Sequence, residues 1–298
     1  VKSGFTRFTA FAATVCSLVA FGPAHAAKLT IGGKNFTEQL ILSNMTAQYL
    51  RSKGYNVDLK NGLGSVVLRQ GIESKQLDIV WEYTGTSLIV YNKVNEKLDR
   101  QQTYARVKEL DAKRGLVWLN PANLNNTYAF AMQRKRADTE GISTVSDLVK
   151  QLESKKGMTL ASDMEFVGRS DGLRPMQKLY DFRLGRANIK QMDPGLVYTS
   201  LRDGLVDVGL VYTTDGRNKG FDLKVLEDDK HFFPTYAATP VVRKPVLEAN
   251  PQLAEQLNAL SAKIDDTTMR DLNAKVDVDR EPVAKVAGDF LKAQGLVK

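Results

Sequence analysis

Short apolar runs alternate with longer stretches whose apolar residues recur every three to four positions, over nearly the whole chain. "KLTIGG" reads as a strand and leads into "TEQLILSNMTAQYLRSKG", where Ile41, Met45 and Tyr49 share one helical face and Gly54 supplies a stop. "YNVDL" is the next strand, residues 65–76 a second helix, "LDIVWEY" a third strand and residues 100–114 a third helix. The strands "VWL" and "TYAFAMQ" follow, and in "TVSDLVKQL" Thr144 and Asp147 stand at the spacing of a helix-capping box. "MTLAS", a helix over 173–182, "VDVGLVY" and "AATPVVR" continue the series, and helices dominate from Pro251 onward. Such alternation predicts an α/β fold with parallel sheets flanked by helices. In open sheets of this kind ligands sit beyond the carboxyl ends of the strands.

One of those ends is unusual. The run "LDIVWEY" finishes on Trp81, Glu82 and Tyr83 and turns at once through Thr84-Gly85-Thr86, which would put Tyr83 on the rim of a cleft. The chain also echoes itself: Asp78 precedes Tyr83-Thr84 as Asp207 precedes Tyr212-Thr213. Two lobes of similar build would produce this echo, and so would the chance recurrence of a short β-rich pattern.

The first 26 residues carry Lys2 and Arg7, an apolar run, a Gly22-Pro23 break and the small-residue site Ala24-His25-Ala26, the pattern of a cleaved secretory signal peptide. The run is shorter than the roughly 20 apolar residues a membrane span needs. Cys16, the single cysteine, and His25, one of two histidines, fall in this segment. Beyond it no thiol remains and His231 is the one imidazole, which excludes thiol catalysis, disulfides and Cys/His zinc sites. The formal net charge of +8 comes from bases scattered among acids, which reads as a solvated surface and not as a nucleic-acid stripe. The chain is long enough for two lobes of ordinary domain size.

Tyr83, Tyr128, Tyr212 and Tyr236 each stand at an element boundary beside small or polar residues. A single such tyrosine is ordinarily an amphipathic cap on a core. Four converging on one cleft would form an aromatic cage for a cation that donates no hydrogen bond, such as a quaternary ammonium. Arg169, in "SDMEFVGRSDG", could grip a ligand carboxylate through two parallel hydrogen bonds, or pair with Asp163, Glu165 or Asp171. Lys34 and Thr86 are further donors. If Tyr83 is a cavity wall and not a core residue, Tyr83→Ala weakens binding and leaves the unliganded protein's stability little changed. No catalytic constellation competes: "LGSVV" is not a nucleophile elbow, and neither "GLGSVV" nor "IGGKNFTE" completes a phosphate-binding glycine motif.

Taken in order, "IGGKNFTEQ", "EYTGT", "NNTYAFAM", "SDMEFVGRSDG", "VYTTDG" and "PTYAATPVVR" resemble the periplasmic substrate-binding proteins of osmoprotectant ABC importers. These are the glycine betaine, choline and carnitine group of the ProX and OsmF kind. The resemblance implies a two-lobed Venus-flytrap fold of type II with two crossovers: lobe 1 over 27–128 and 235–298, lobe 2 over 129–234. It places cage tyrosines at Tyr83, Tyr128, Tyr212 and Tyr236, polar neighbours at Thr86 and Asn126, the carboxylate-binding arginine at Arg169, and a variable polar position at Lys34. It further implies a monomeric, non-enzymatic periplasmic protein without cofactor or metal. Such a protein delivers a small quaternary ammonium ligand to an inner-membrane ABC permease and its ATPase. Choline or another small cation, bound without carboxylate recognition, is the alternative ligand; a secreted hydrolase or a sensory solute-binding domain are more distant alternatives.

Overall fold

The computed structural model describes residues 28–154 and 157–298, so the signal segment read over 1–26 lies outside the described residues. Ten strands are present among them: β1 Lys28–Lys34, β2 Asn56–Leu63, β3 Ile79–Tyr83, β4 Leu116–Trp118, β5 Tyr128–Gln133, β6 Leu160–Ser162, β7 Ile189–Gln191, β8 Val208–Tyr212, β9 Leu223–Val225 and β10 Ala238–Arg243. They form two five-stranded sheets, ordered β2-β1-β3-β10-β4 and β7-β6-β8-β5-β9, one in each of two lobes. Helices cover both sheets. The long helix Thr37–Ser52 packs against Val283–Ala293 over the first sheet, burying Ile41, Leu42 and Met45 with Val286 and Leu291. Among the described residues no helix is long and apolar enough to cross a membrane.

Both sheets are mixed, where the alternation of elements predicted parallel ones. β1, β2 and β3 run parallel, as do β6, β7 and β8, but β10 is antiparallel to β3 and β4, and β5 is antiparallel to β8 and β9. The reversed strands are the two that the chain enters on crossing from the other sheet. A crossing chain arrives at the carboxyl ends of the parallel strands, so it must run back against them. Hydrophobic periodicity reports burial and not direction.

This arrangement explains why four boundary tyrosines gather. Tyr83 and Tyr212 end the parallel strands β3 and β8, while Tyr128 opens β5 and Tyr236 stands two residues before β10. In the ladders Tyr128 is opposite Tyr212, and Ala238 is opposite Tyr83. Two carboxyl ends and two reversed amino ends therefore meet at one edge.

The sequence echo is structural. Asp78 accepts the Thr30 N–H of the neighbouring strand at 2.8 Å and pairs with Arg243, the last residue of β10; Asp207 accepts the Thr159 N–H at 2.6 Å and pairs with Arg136, just past β5. At the other end Thr84 Oγ1 accepts the Ala237 N–H at 3.1 Å, and Thr213 Oγ1 accepts the Thr127 N–H at 3.2 Å. Each Tyr-Thr pair thus puts a ring at the cleft and pins the incoming crossover. The crossovers also bond to each other, Asn126 N–H to the Tyr236 carbonyl and Ala238 N–H to the Leu124 carbonyl, both at 3.2 Å.

Gly85 is small for a reason. A Cβ there would lie 2.7 Å from the Thr235 carbonyl oxygen and 2.9 Å from the Tyr236 ring. Thr86 then opens a π-helical turn, Thr86–Tyr91, held by the Ser87 hydroxyl donating to the buried Asp111 at 2.9 Å. The box read in "TVSDLVKQL" forms: Asp147 N–H donates to Thr144 Oγ1 at 3.0 Å and Thr144 N–H to Asp147 Oδ2 at 3.2 Å.

Candidate ligand-binding site

Between the sheets lies a cavity of about 220 Å³, and all eight residues singled out from the sequence line it: Lys34, Tyr83, Thr86, Asn126, Tyr128, Arg169, Tyr212 and Tyr236. The rings form a continuous arc. Tyr212 and Tyr128 have centroids 5.3 Å apart, and Tyr128 and Tyr236 meet edge to face at 5.5 Å. Phe36, which the sequence reading missed, closes the arc by stacking on Tyr212 at 5.0 Å and on Tyr83 at 6.1 Å. It stands two residues past β1, at the same edge where Tyr83 ends β3.

The tyrosine hydroxyls on the first-lobe side are anchored by acids. Tyr83 donates to Glu38 Oε1 and Tyr236 to Asp171 Oδ2, each at 2.7 Å. Burial is the main cause holding both hydroxyls well above the usual tyrosine range, reinforced by Glu38 for Tyr83 and by Asp171 for Tyr236. At working pH both are therefore neutral donors with uncharged rings. Tyr83 is only 4 % exposed and belongs to the first lobe's core cluster as well as to the cavity wall, so the contrast drawn between a wall and a core tyrosine does not apply to it.

Arg169 is 9 % exposed, and its fork is already occupied: Nε donates to Asp171 Oδ1 and Nη2 to Asp171 Oδ2, both at 2.7 Å. Nη2 also reaches Thr86 Oγ1 across the cleft at 3.2 Å, and the guanidinium lies 5.4 Å from the Tyr128 ring centre. Burial works against its charge, but Tyr128 and Asp171 more than offset that, so its pKa is raised. The parallel pair of bonds expected for a ligand carboxylate goes to Asp171. The remaining nitrogen, Nη1, stands 3.9 Å from Glu165 Oε2. Lys34 is likewise tethered, with Nζ 2.6 Å from Glu82 Oε1 and 5.1 Å from the Tyr83 ring centre.

Beneath the arc sits Glu38, only 2 % exposed, another residue the sequence reading missed. Its carboxylate accepts from Tyr83, from Asn126 Nδ2 at 2.9 Å and from the Thr214 hydroxyl of the second lobe at 2.6 Å. Burial nonetheless lifts its pKa to about 7, with Asp215 adding to the rise. Asn126 Oδ1 is buried with no partner among the described residues. His231 lies in an exposed turn with φ of 49° and does not line this cavity.

Several bonds cross between the lobes: Arg169 to Thr86, Tyr236 to Asp171, Thr214 to Glu38, and Ser65 N–H to Glu165 Oε1 at 2.8 Å. The lobes are thus closed around the cavity.

Residues 27–293 match the family described as the substrate-binding domain of ABC-type glycine betaine transport systems. The chain is 52% identical over 286 residues to the "Glycine-betaine-binding protein" of Pseudomonas aeruginosa, covering 94% of this chain and 92% of that protein. It is 34% identical over 282 residues to the "Glycine betaine-binding protein YehZ" of Escherichia coli, covering 92% of each. Among solved structures, that of a "glycine betaine/carnitine/choline ABC transporter" matches with a TM-score of 0.72 at 30% identity, over 90% of this chain and 99% of that one.

Proposed function

We propose, for a chain that belongs to the family of substrate-binding domains of ABC-type glycine betaine transport systems, that the aromatic arc holds the quaternary ammonium group of a glycine betaine-like ligand. The protein is an ABC-transporter substrate-binding protein; the ligand class and the residues that hold it are our reading. The observation that carries it is the arc itself, five rings from five separate chain segments around one cavity, with a buried guanidinium at its side. A quaternary ammonium donates no hydrogen bond, so ring faces are its natural partners, and each desolvated face contributes on the order of 2 kcal/mol. Three or four faces supply much of the ~8 kcal/mol that micromolar binding requires. The ligand carboxylate meets Arg169 Nη1, the Thr86 hydroxyl and the free protons of the Lys34 ammonium, while Asn126 orders the crossover beside them.

The mechanism is capture, closure and delivery, with no bond made or broken. The lobes, 27–128 with 235–298 and 129–234, move about the paired crossovers, and ligand contacts from both favour the closed form. A monomer in the periplasm delivers the ligand to an inner-membrane ABC permease, whose ATPase drives release. The test is thermal unfolding of residues 27–298 with glycine betaine, proline betaine, carnitine, choline and glycine, each hit then titrated by calorimetry. A ligand at 100 times its dissociation constant adds about 2.7 kcal/mol. Stabilisation by betaines and not by glycine is the expected result. No shift with any methylated ammonium compound would overturn the reading.

A further inference from the structure

The charges around the cavity do not balance. Its two bases are each closely paired, Lys34 with Glu82 at 2.6 Å and Arg169 with Asp171 at 2.7 Å. Three acids also line it: Asp163, Glu165 and Asp193. Asp193 is exposed and screened by solvent, and Glu165 caps the helix beginning at Ser65. Asp163 is different. It is 7 % exposed, and among the described residues no base lies within ion-pairing distance of it. Its Oδ1 accepts the Phe166 N–H at 2.8 Å, which fixes the carboxylate at the start of the short helix Met164–Gly168.

The carboxylate lines the same cavity as the Tyr128 and Tyr212 rings. Burial, and next the Asp163 charge, push the Tyr212 hydroxyl well above its ordinary range; Tyr128 is raised mainly by burial, opposed by Arg169 and reinforced by Asp163. Burial also raises Asp163 itself, with Arg169 only partly offsetting it. A buried carboxylate without a paired base is unfavourable, and a cation seated against the same rings relieves it.

We propose that Asp163 is the counter-charge for the ligand's ammonium group and a specificity determinant that admits ligands of net positive charge, of the choline class, beside zwitterionic betaines. This rests on the cage reading above. For a choline-like ligand, which has no carboxylate to repel, the Asp163 charge is purely attractive. For a betaine the same charge attracts the ammonium and repels the carboxylate, so its net effect is small. Arg169, its fork held by Asp171, does not exclude a ligand lacking a carboxylate.

The experiment is calorimetric titration of wild type and Asp163→Asn with choline and with glycine betaine. Asparagine keeps the acceptor for the Phe166 N–H, and an unliganded melting curve checks that the variant is folded. The expected result is a loss of about tenfold or more in choline affinity, with glycine betaine affinity changed less than about threefold; tenfold corresponds to about 1.4 kcal/mol. Equal losses for both ligands, or no loss for choline, would overturn the assignment of Asp163 while wild-type betaine binding left the cage reading intact. Wild-type binding of glycine betaine without choline would also overturn it. Binding of neither by wild type would remove the cage reading and this assignment together.

Discussion

Glu38 joins three parts of the molecule, and replacing it with glutamine tests whether its burial has the consequence its surroundings imply. Its carboxyl is raised from 4.5 to about 7, first by burial and only partly countered by the bonds from Thr214, Tyr83 and Asn126. A carboxyl whose pKa is higher folded than unfolded binds its proton more tightly in the folded state. The resulting stability is full below the unfolded value and is lost as pH rises through the folded one. The window is therefore about pH 4.5 to 7, and a shift of that size corresponds to about 3 kcal/mol. Asp277, raised to about 6 mainly by burial, declines over an overlapping range, so wild type alone does not isolate Glu38. Glu38→Gln does: the amide oxygen still accepts from Tyr83 and Asn126, and the amide nitrogen donates to Thr214 as the protonated acid would. Urea unfolding of both proteins at pH 5 and pH 8 is the assay. The wild type is expected to lose about 3 kcal/mol more than the variant over that interval, or several degrees in melting temperature. Parallel losses in the two proteins would refute the reasoning, because the proton-linked term would then lie elsewhere.

Tyr83→Phe removes the bond to Glu38 and keeps the ring, so it should lower stability by about 1 kcal/mol and leave ligand affinity within a fewfold range; Tyr83→Ala should lose about 3 kcal/mol or more and at least tenfold in affinity, read by denaturation and calorimetry. Gly85→Ala forces a methyl against the Thr235 carbonyl and the Tyr236 ring, and should lower stability by about 1–3 kcal/mol in urea unfolding while weakening betaine binding. Thr86→Val removes the acceptor for Arg169 and a hydroxyl facing the ligand; betaine affinity should fall about threefold to tenfold, with choline nearly unaffected in the same titration.

The extent to which the sequence could be read follows from what each signal encodes. Tyr83, Tyr128, Tyr212 and Tyr236 were legible because a ring placed where a strand gives way to a polar turn breaks the local pattern. Phe36 was not, since it falls in "GGKNFTE" before a helix and looks like an ordinary residue of a turn. Glu38 was hidden for a related reason: an acid in the first turn of a helix is expected on helix-dipole grounds alone, and only the tertiary fold buries it. In the sequence Asp171 is one of three acids that could pair with Arg169; the fold shows that it occupies the guanidinium fork and receives Tyr236 as well. Strand direction was illegible because alternation reports burial, and the reversal of β5 and β10 follows from where the chain crosses between sheets.

That crossing also ties the cage to the movement of the lobes. The threonine following each strand-end tyrosine holds the crossover that enters beside it, so a ring of the cavity and a pin of the hinge are neighbours in sequence on both sides. Three of the bonds between lobes, Arg169 to Thr86, Tyr236 to Asp171 and Ser65 to Glu165, involve residues that line the cavity. On the proposed reading, closing the cleft assembles the ligand's partners and makes those bonds in the same movement. Closure also buries the Asp163 carboxylate and the ring faces that line the cavity. Under the proposed function a ligand meets these groups together only in the closed state, and this differential is what can bias the hinge.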